Sequence, residues 1–84
     1  MNDLRVYFGS KHMFDYTMKK LEKETDFRWI IGEEKPTEVK FLESNFPLVL
    51  ILHKNKLSWS MHTTEFDFDV WKFLDFYFLT SPAV

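Results

Sequence analysis

The chain is 84 residues long, 45% hydrophobic and 29% charged, with a net charge of −2 and no cysteine. A chain of this size buries roughly 60–65% of its unfolded surface, so it forms one folded domain with one core rather than a disordered segment. The lack of cysteine excludes disulfide staples, thiol catalysis and zinc–thiolate sites, and the charge balance offers no basic face for nucleic acid.

The N-terminal Met1-Asn2-Asp3-Leu4-Arg5 has no apolar run and no cleavage motif, so it does not read as a signal peptide. The longest apolar stretch lies near the C-terminus. Lys72 and Asp75 interrupt it, and it falls short of the ~20 residues that span a bilayer. These features point to a cytoplasmic protein that does not enter a membrane. Aromatic residues make up 19% of the chain, more than so small a core accommodates easily. Some of these rings are expected on the surface, where they favour partner contacts.

In chain order, Leu4 to Phe8 is β-prone and ends at Gly9-Ser10, a strand followed by a turn. An amphipathic helix is predicted from about Lys11 to Thr25, because Phe14, Met18 and Leu21 share one face. Lys19, Lys20 and Lys23, interspersed with Glu22, Glu24 and Asp26, form its solvated side. Phe27 to Ile31 reads as a second strand closed by Gly32.

Residues 33–45 admit two readings. Pro36 suits the first turn of a short helix that Asn45 ends in the left-handed region. An extended segment with Val39 and Phe41 on one side competes. Leu48 to Leu52 is continuously apolar, the signature of a strand buried on both faces. Lys54-Asn55-Lys56 is a hairpin turn, with Asn55 tolerant of positive φ, and Leu57 to Met61 is the partner strand. Thr64-x-x-Asp67 resembles a capping box opening a last helix from about Phe66 to Leu79, ended by Ser81-Pro82. A strand–helix–strand start with a hairpin finish implies a mixed sheet.

That order resembles the thioredoxin fold in its minimal, glutaredoxin-type form. Arg5-Val6-Tyr7-Phe8 is similar to the family's first strand. Counting forward, His12-Met13-Phe14-Asp15 stands where the family has Cys-x-x-Cys, and Lys19-Lys20 follow as in the small redoxins. Phe46-Pro47 before Leu48-Val49-Leu50-Ile51 is similar to the family's Val-Pro-x-Val-Phe-Ile, whose proline is cis and faces the active site. Trp59-Ser60 resembles the turn region before the last helix. Both cysteines are absent, and Ser60-Met61-His62 replaces the Gly-Gly pair that helps hold glutathione. The resemblance therefore implies an α/β domain with a four-stranded mixed sheet and helices on both faces, order β-α-β-(α)-β-β-α. It does not imply glutathione binding, disulfide reduction or any other cofactor.

In the thioredoxin fold, the groove beside the proline binds extended peptides. The resemblance thus implies a partner-binding surface at His12, Met13, Phe14, Asp15, Phe46 and Pro47, with Met13 as an adaptable contact and Phe14 either an anchor or plain core. His12 and Asp15, at i,i+3 spacing, are the alternative: an acid–base pair, or metal ligands together with His53 or His62. Asp15 complementing the helix dipole and an exposed His12 is the plainer account of the same residues. No Gly-x-Ser-x-Gly or phosphate-cradling motif is present.

The last helix carries a second candidate surface. Val70, Phe73, Leu74 and Tyr77 define one face, while Trp71, Phe76 and Phe78 lie elsewhere around it. A helix apolar on most sides is buried on most sides, which suggests a homodimer or another protein partner. The expectation is a redox-inactive, redoxin-like protein-binding module, accessory or inhibitory in role. A small α/β adaptor using the aromatic last helix is the further alternative.

Overall fold

The computed structural model describes residues 3–78. A mixed sheet of five strands carries two helices: β1 (Leu4–Phe8), α1 (Lys11–Glu24), β2 (Arg28–Trp29), β3 (Leu48–His53), β4 (Lys56–Ser60), β5 (Phe68–Asp69) and α2 (Val70–Tyr77). The sheet order is β2-β4-β3-β1-β5. β3 runs antiparallel to both β1 and β4, while β5 is parallel to β1 and β2 parallel to β4.

The four-stranded expectation is corrected in three respects. A fifth strand, β5, lies where the sequence suggests the start of the last helix. β2 is shorter than Phe27 to Ile31 and sits beside β4, although consecutive strands are more often neighbours. Both helices pack on one face of the sheet rather than on opposite faces. Phe14, Met18 and Leu21 of α1 and Val70 and Phe73 of α2 share one core with Val6, Phe8, Leu48, Leu50 and Leu52. Lys20 of α1 lies over the ring of Phe78, just past α2, and Phe27, just past α1, packs against Tyr77 of α2.

Local chemistry explains the elements. Ser10 caps α1, its hydroxyl accepting from the Met13 N–H at 3.4 Å. Leu48, Val49 and Leu50 of β3 are fully buried, as a central strand with continuous apolar sequence should be. Positive φ in the β3–β4 hairpin falls on Lys54, not Asn55. Residues 36–45 form neither the predicted helix nor a strand, but two 3-10 turns, Pro36–Glu38 and Glu43–Asn45. Asn45 is the last residue of the second, but it is not left-handed; its side chain reaches back to accept the Leu42 N–H at the start of the turn, at 2.7 Å. α2 begins at Val70, capped by the Asp69 carboxylate on the Lys72 N–H at 2.9 Å, so Thr64 and Asp67 are not its capping box. Leu79, Ser81 and Pro82 lie outside the described residues.

Residues 61–67 leave β4 where Ser60 pairs with Val49 and enter β5 where Phe68 pairs with Val6. Successive strand residues point to opposite faces, so Tyr7 lies on the face without helices. Phe66 packs on Tyr7 with ring centres 5.1 Å apart. The crossing therefore runs over that face, on which Val49 is fully buried. Asp67 fixes its end, exchanging backbone and side-chain hydrogen bonds with the Arg5 backbone, both 2.8 Å long.

The first 3-10 turn is tied to α1 by Glu22, whose carboxylate accepts from the Thr37 hydroxyl at 2.6 Å and its N–H at 3.0 Å. These bonds hold the Glu22 pKa below its ordinary value of 4.5. A lowered carboxyl pKa stabilises the fold above the unfolded value, and that contribution is lost as pH falls through the folded one. Thr37→Val is accordingly destabilising at neutral pH, and its stability gap to wild type narrows at about pH 3, read by urea unfolding at both pH values. An equal gap at the two pH values contradicts this coupling.

Candidate functional site

Gly9-Ser10 at the end of β1, the first turn of α1, the start of β3 and the end of β4 all lie at one end of the sheet, because Phe8 pairs with Leu48 and Val49 with Ser60. His12, Met13 and Phe14 in the first turn of α1, and Phe46 and Pro47 before β3, lie at this end. The Phe14 and Phe46 rings meet at 5.3 Å, so the first turns of α1 contact the residue before Pro47. His12 and Pro47 are exposed, Met13 and Phe46 half-buried. The Phe46–Pro47 peptide bond is cis.

Phe14 is a core residue, 1% exposed, and supports this end from beneath as its helical spacing suggests. It packs against Phe8, Phe41 and Phe46 at 4.7–5.3 Å. Asp15 does not join Pro47 and does not pair with His12. Its carboxylate accepts from Lys11 Nζ at 2.8 Å, a bond that raises the Lys11 pKa. It lines a shallow cleft of about 180 Å³ between α1 and residues 36–41, with Lys11, Met18 and Phe41.

The histidines do not converge. His53 ends β3 at the opposite end of the sheet, beside the strand pair Leu4–Leu52, and bonds Asp3. His62 follows β4 at the same end as His12, its N–H donating to the Ser60 hydroxyl at 3.0 Å. Among the described residues no three His, Cys, Asp or Glu side chains are grouped to hold a metal ion.

Sequence reading missed two contributors. Met61, read as the last residue of a strand, is just past β4 and 60% exposed, and adds a second methionine to the His12–Pro47 end. At the β2 edge, Ile30 and Ile31 lie on a turn rather than in a strand, and Ile31 is 83% exposed. With Trp29, Val39 and Trp59 they line an open apolar cleft of about 290 Å³. An isoleucine pair beside Gly32 was the only signal, and alternation disguised it as a strand.

Of the second surface, Trp71 and Phe76 are 64% and 62% exposed. Phe78 does not belong with them. It is half-buried, with Phe73 and Tyr77 against its ring and Lys20 Nζ 4.8 Å from its centre. No helix among the described residues is long and apolar enough to cross a membrane. The chain is a small cysteine-free α/β domain, and comparison with protein-family models, curated proteins and solved structures finds no match.

Proposed function

We propose that the protein is a redoxin-like docking module without redox chemistry, binding an extended segment of a partner protein at the His12–Pro47 end of the sheet, in the cytoplasm. The observation that carries this reading is the meeting of α1 with the residue before Pro47, through Phe14 and Phe46 at 5.3 Å. It makes one surface from two segments more than thirty residues apart. The resemblance to the thioredoxin fold enters at this end, where β1, α1, Pro47, β3 and β4 are arranged; the sheet edges differ.

The chemistry suits binding rather than turnover. There is no thiol, and Asp15 is engaged by Lys11. Met13 and Met61 supply unbranched, polarizable contacts that adapt to varied apolar side chains. His12 and Pro47 sit exposed beside them, where a partner backbone can lie along the chain.

Linear peptides selected from a random library against the immobilised protein provide the probe. The His12→Asp/Met13→Asp double variant is expected to weaken binding of those peptides by at least about tenfold, a loss of about 1.4 kcal/mol or more. His12→Asp alone, at an exposed position, separates lost contact from lost folding. Unchanged affinity in both variants overturns the proposal.

A further inference from the structure

α2 shows solvent a face that the docking end does not use. Val70 and Phe73 are buried, Leu74 is half-buried, and Trp71, Lys72, Asp75 and Phe76 are exposed. Positions 71, 72, 75 and 76 are contiguous on a helix surface. The two aromatic residues flank the face, with one cation and one anion between them. Among the described residues neither Lys72 nor Asp75 is in an ion pair.

The order of these residues is self-complementary. A two-fold axis crossing α2 between Phe73 and Leu74 exchanges position 72 with 75 along the helix. We infer that this face is an isologous interface at which the chain associates with a second copy of itself, the two α2 helices antiparallel. Lys72 of each copy then meets Asp75 of the other at the centre of the face, while Trp71 faces Trp71 on one flank and Phe76 faces Phe76 on the other, as a two-fold contact requires.

Charge selects this arrangement. A parallel pairing about a two-fold along the helices sets Lys72 against Lys72 and Asp75 against Asp75, which is repulsive. The antiparallel pairing satisfies both charges and brings the two Trp71 rings to one flank, where their contact adds about 0.5–1.5 kcal/mol; Phe76, whose ring already packs on Phe68 at 5.2 Å, borders the other. An eight-residue helix is about 12 Å long. Its face buries less than the roughly 1,200–2,000 Å² of a standard interface, so the dimer is weak.

Sedimentation equilibrium of the full chain, from about 10 µM to about 1 mM, tests this. The weight-average mass of the wild type is expected to rise above the monomer's 10.2 kDa as concentration increases. Lys72→Glu and Asp75→Lys each place like charges at both contacts and remain monomeric. Mixed in equal amounts they associate again, because Glu at 72 meets Lys at 75 and Asp75 meets Lys72. Trp71→Ala weakens association by at least about tenfold. A wild type that stays monomeric throughout, single variants that associate as well as the wild type, or a mixture that fails to recover overturns the proposal. All substitutions are at exposed positions, and circular dichroism verifies that each variant is folded.

Discussion

Replacing Phe14 with alanine is expected to destabilise the protein by about 3–5 kcal/mol, the range for deleting a buried ring. Phe14 is 1% exposed and touches three other phenylalanine rings. Phe8 lies 5.2 Å away on β1, Phe41 4.7 Å and Phe46 5.3 Å away on the segment leading to β3. The substitution therefore opens a cavity where three chain segments meet. The segment from Leu42 to Phe46 is held by its own bonds, Asn45 N–H to the Leu42 carbonyl at 2.9 Å, Phe46 N–H to the Glu43 carbonyl at 3.1 Å and Leu42 N–H to the Asn45 side chain at 2.7 Å, so the void is hard to close by local collapse. Urea unfolding measures the loss as a lower midpoint at unchanged slope. Tyr16→Ala, two residues on and 51% exposed, is the control and changes stability by no more than about 0.5 kcal/mol. A Phe14→Ala loss as small as the control's removes Phe14 from the core and the docking end from its support.

Trp29→Ala is expected to cost a similar amount, about 3–5 kcal/mol, with a local signature as well. β2 has only two residues. Its link to the hairpin rests on the Arg28 N–H to the Asn55 carbonyl at 3.0 Å and the Ile30 N–H to the Leu57 carbonyl at 2.9 Å. The Trp29 ring, 4% exposed, supplies the burial that holds this short strand. Its indole N–H also donates to the Pro36 carbonyl at 3.1 Å in a buried position. Trp29→Phe keeps most of the apolar surface but leaves that carbonyl without its donor, costing about 1–3 kcal/mol. Hydrogen exchange at the Ile30 amide is expected to accelerate in Trp29→Ala beyond the global loss of stability. Exchange at Ile30 that follows global unfolding alone contradicts the view that Trp29 anchors this edge.

The parts of this fold legible in the sequence are those whose signal is local. β1, α1 and β3 follow from a short β-prone run, a helical spacing of Phe14, Met18 and Leu21, and an unbroken apolar stretch. The burial of those helix residues, and of Leu48 to Leu50, agrees with the pattern. What failed was decided by non-local pairing. Nothing in Phe27 to Ile31 says that its strand pairs with β4 rather than β1, because the partner is chosen by Trp29 burial and by the Leu57 carbonyl. β5 had a period-two signal in Phe66-Asp67-Phe68-Asp69, aromatic alternating with acidic. Thr64-x-x-Asp67 offered a competing helix start, yet the Asp67 carboxylate is used on the Arg5 backbone. The 36–45 segment has neither period. Its first turn is held by Glu22 on Thr37 and by Trp29 on Pro36, and the chain leading to the second is anchored by Phe41 against Phe14.

The candidate site was legible in the same uneven way. The resemblance implies a juxtaposition of His12 and Met13 with Phe46 and Pro47; the contact seen is that of the Phe14 and Phe46 rings, their chain neighbours, at 5.3 Å. Asp15 is engaged by Lys11, one turn earlier, at 2.8 Å, a pairing that the i,i+4 spacing of the two residues allows. Met61 was hidden because its role depends on where β4 stops. Phe78 was read as surface because the lysine and rings that cover it come from α1 and the rest of α2.

Docking of an extended partner segment at the His12–Pro47 end is tested by amide chemical-shift mapping with a selected linear peptide. The largest shifts are expected at His12, Met13, Leu48 and Met61, with Trp71 to Phe76 unmoved at protein concentrations where the chain is monomeric. Shifts confined to Trp71 to Phe76, or to Ile30 and Ile31 at the opposite sheet edge, would contradict it.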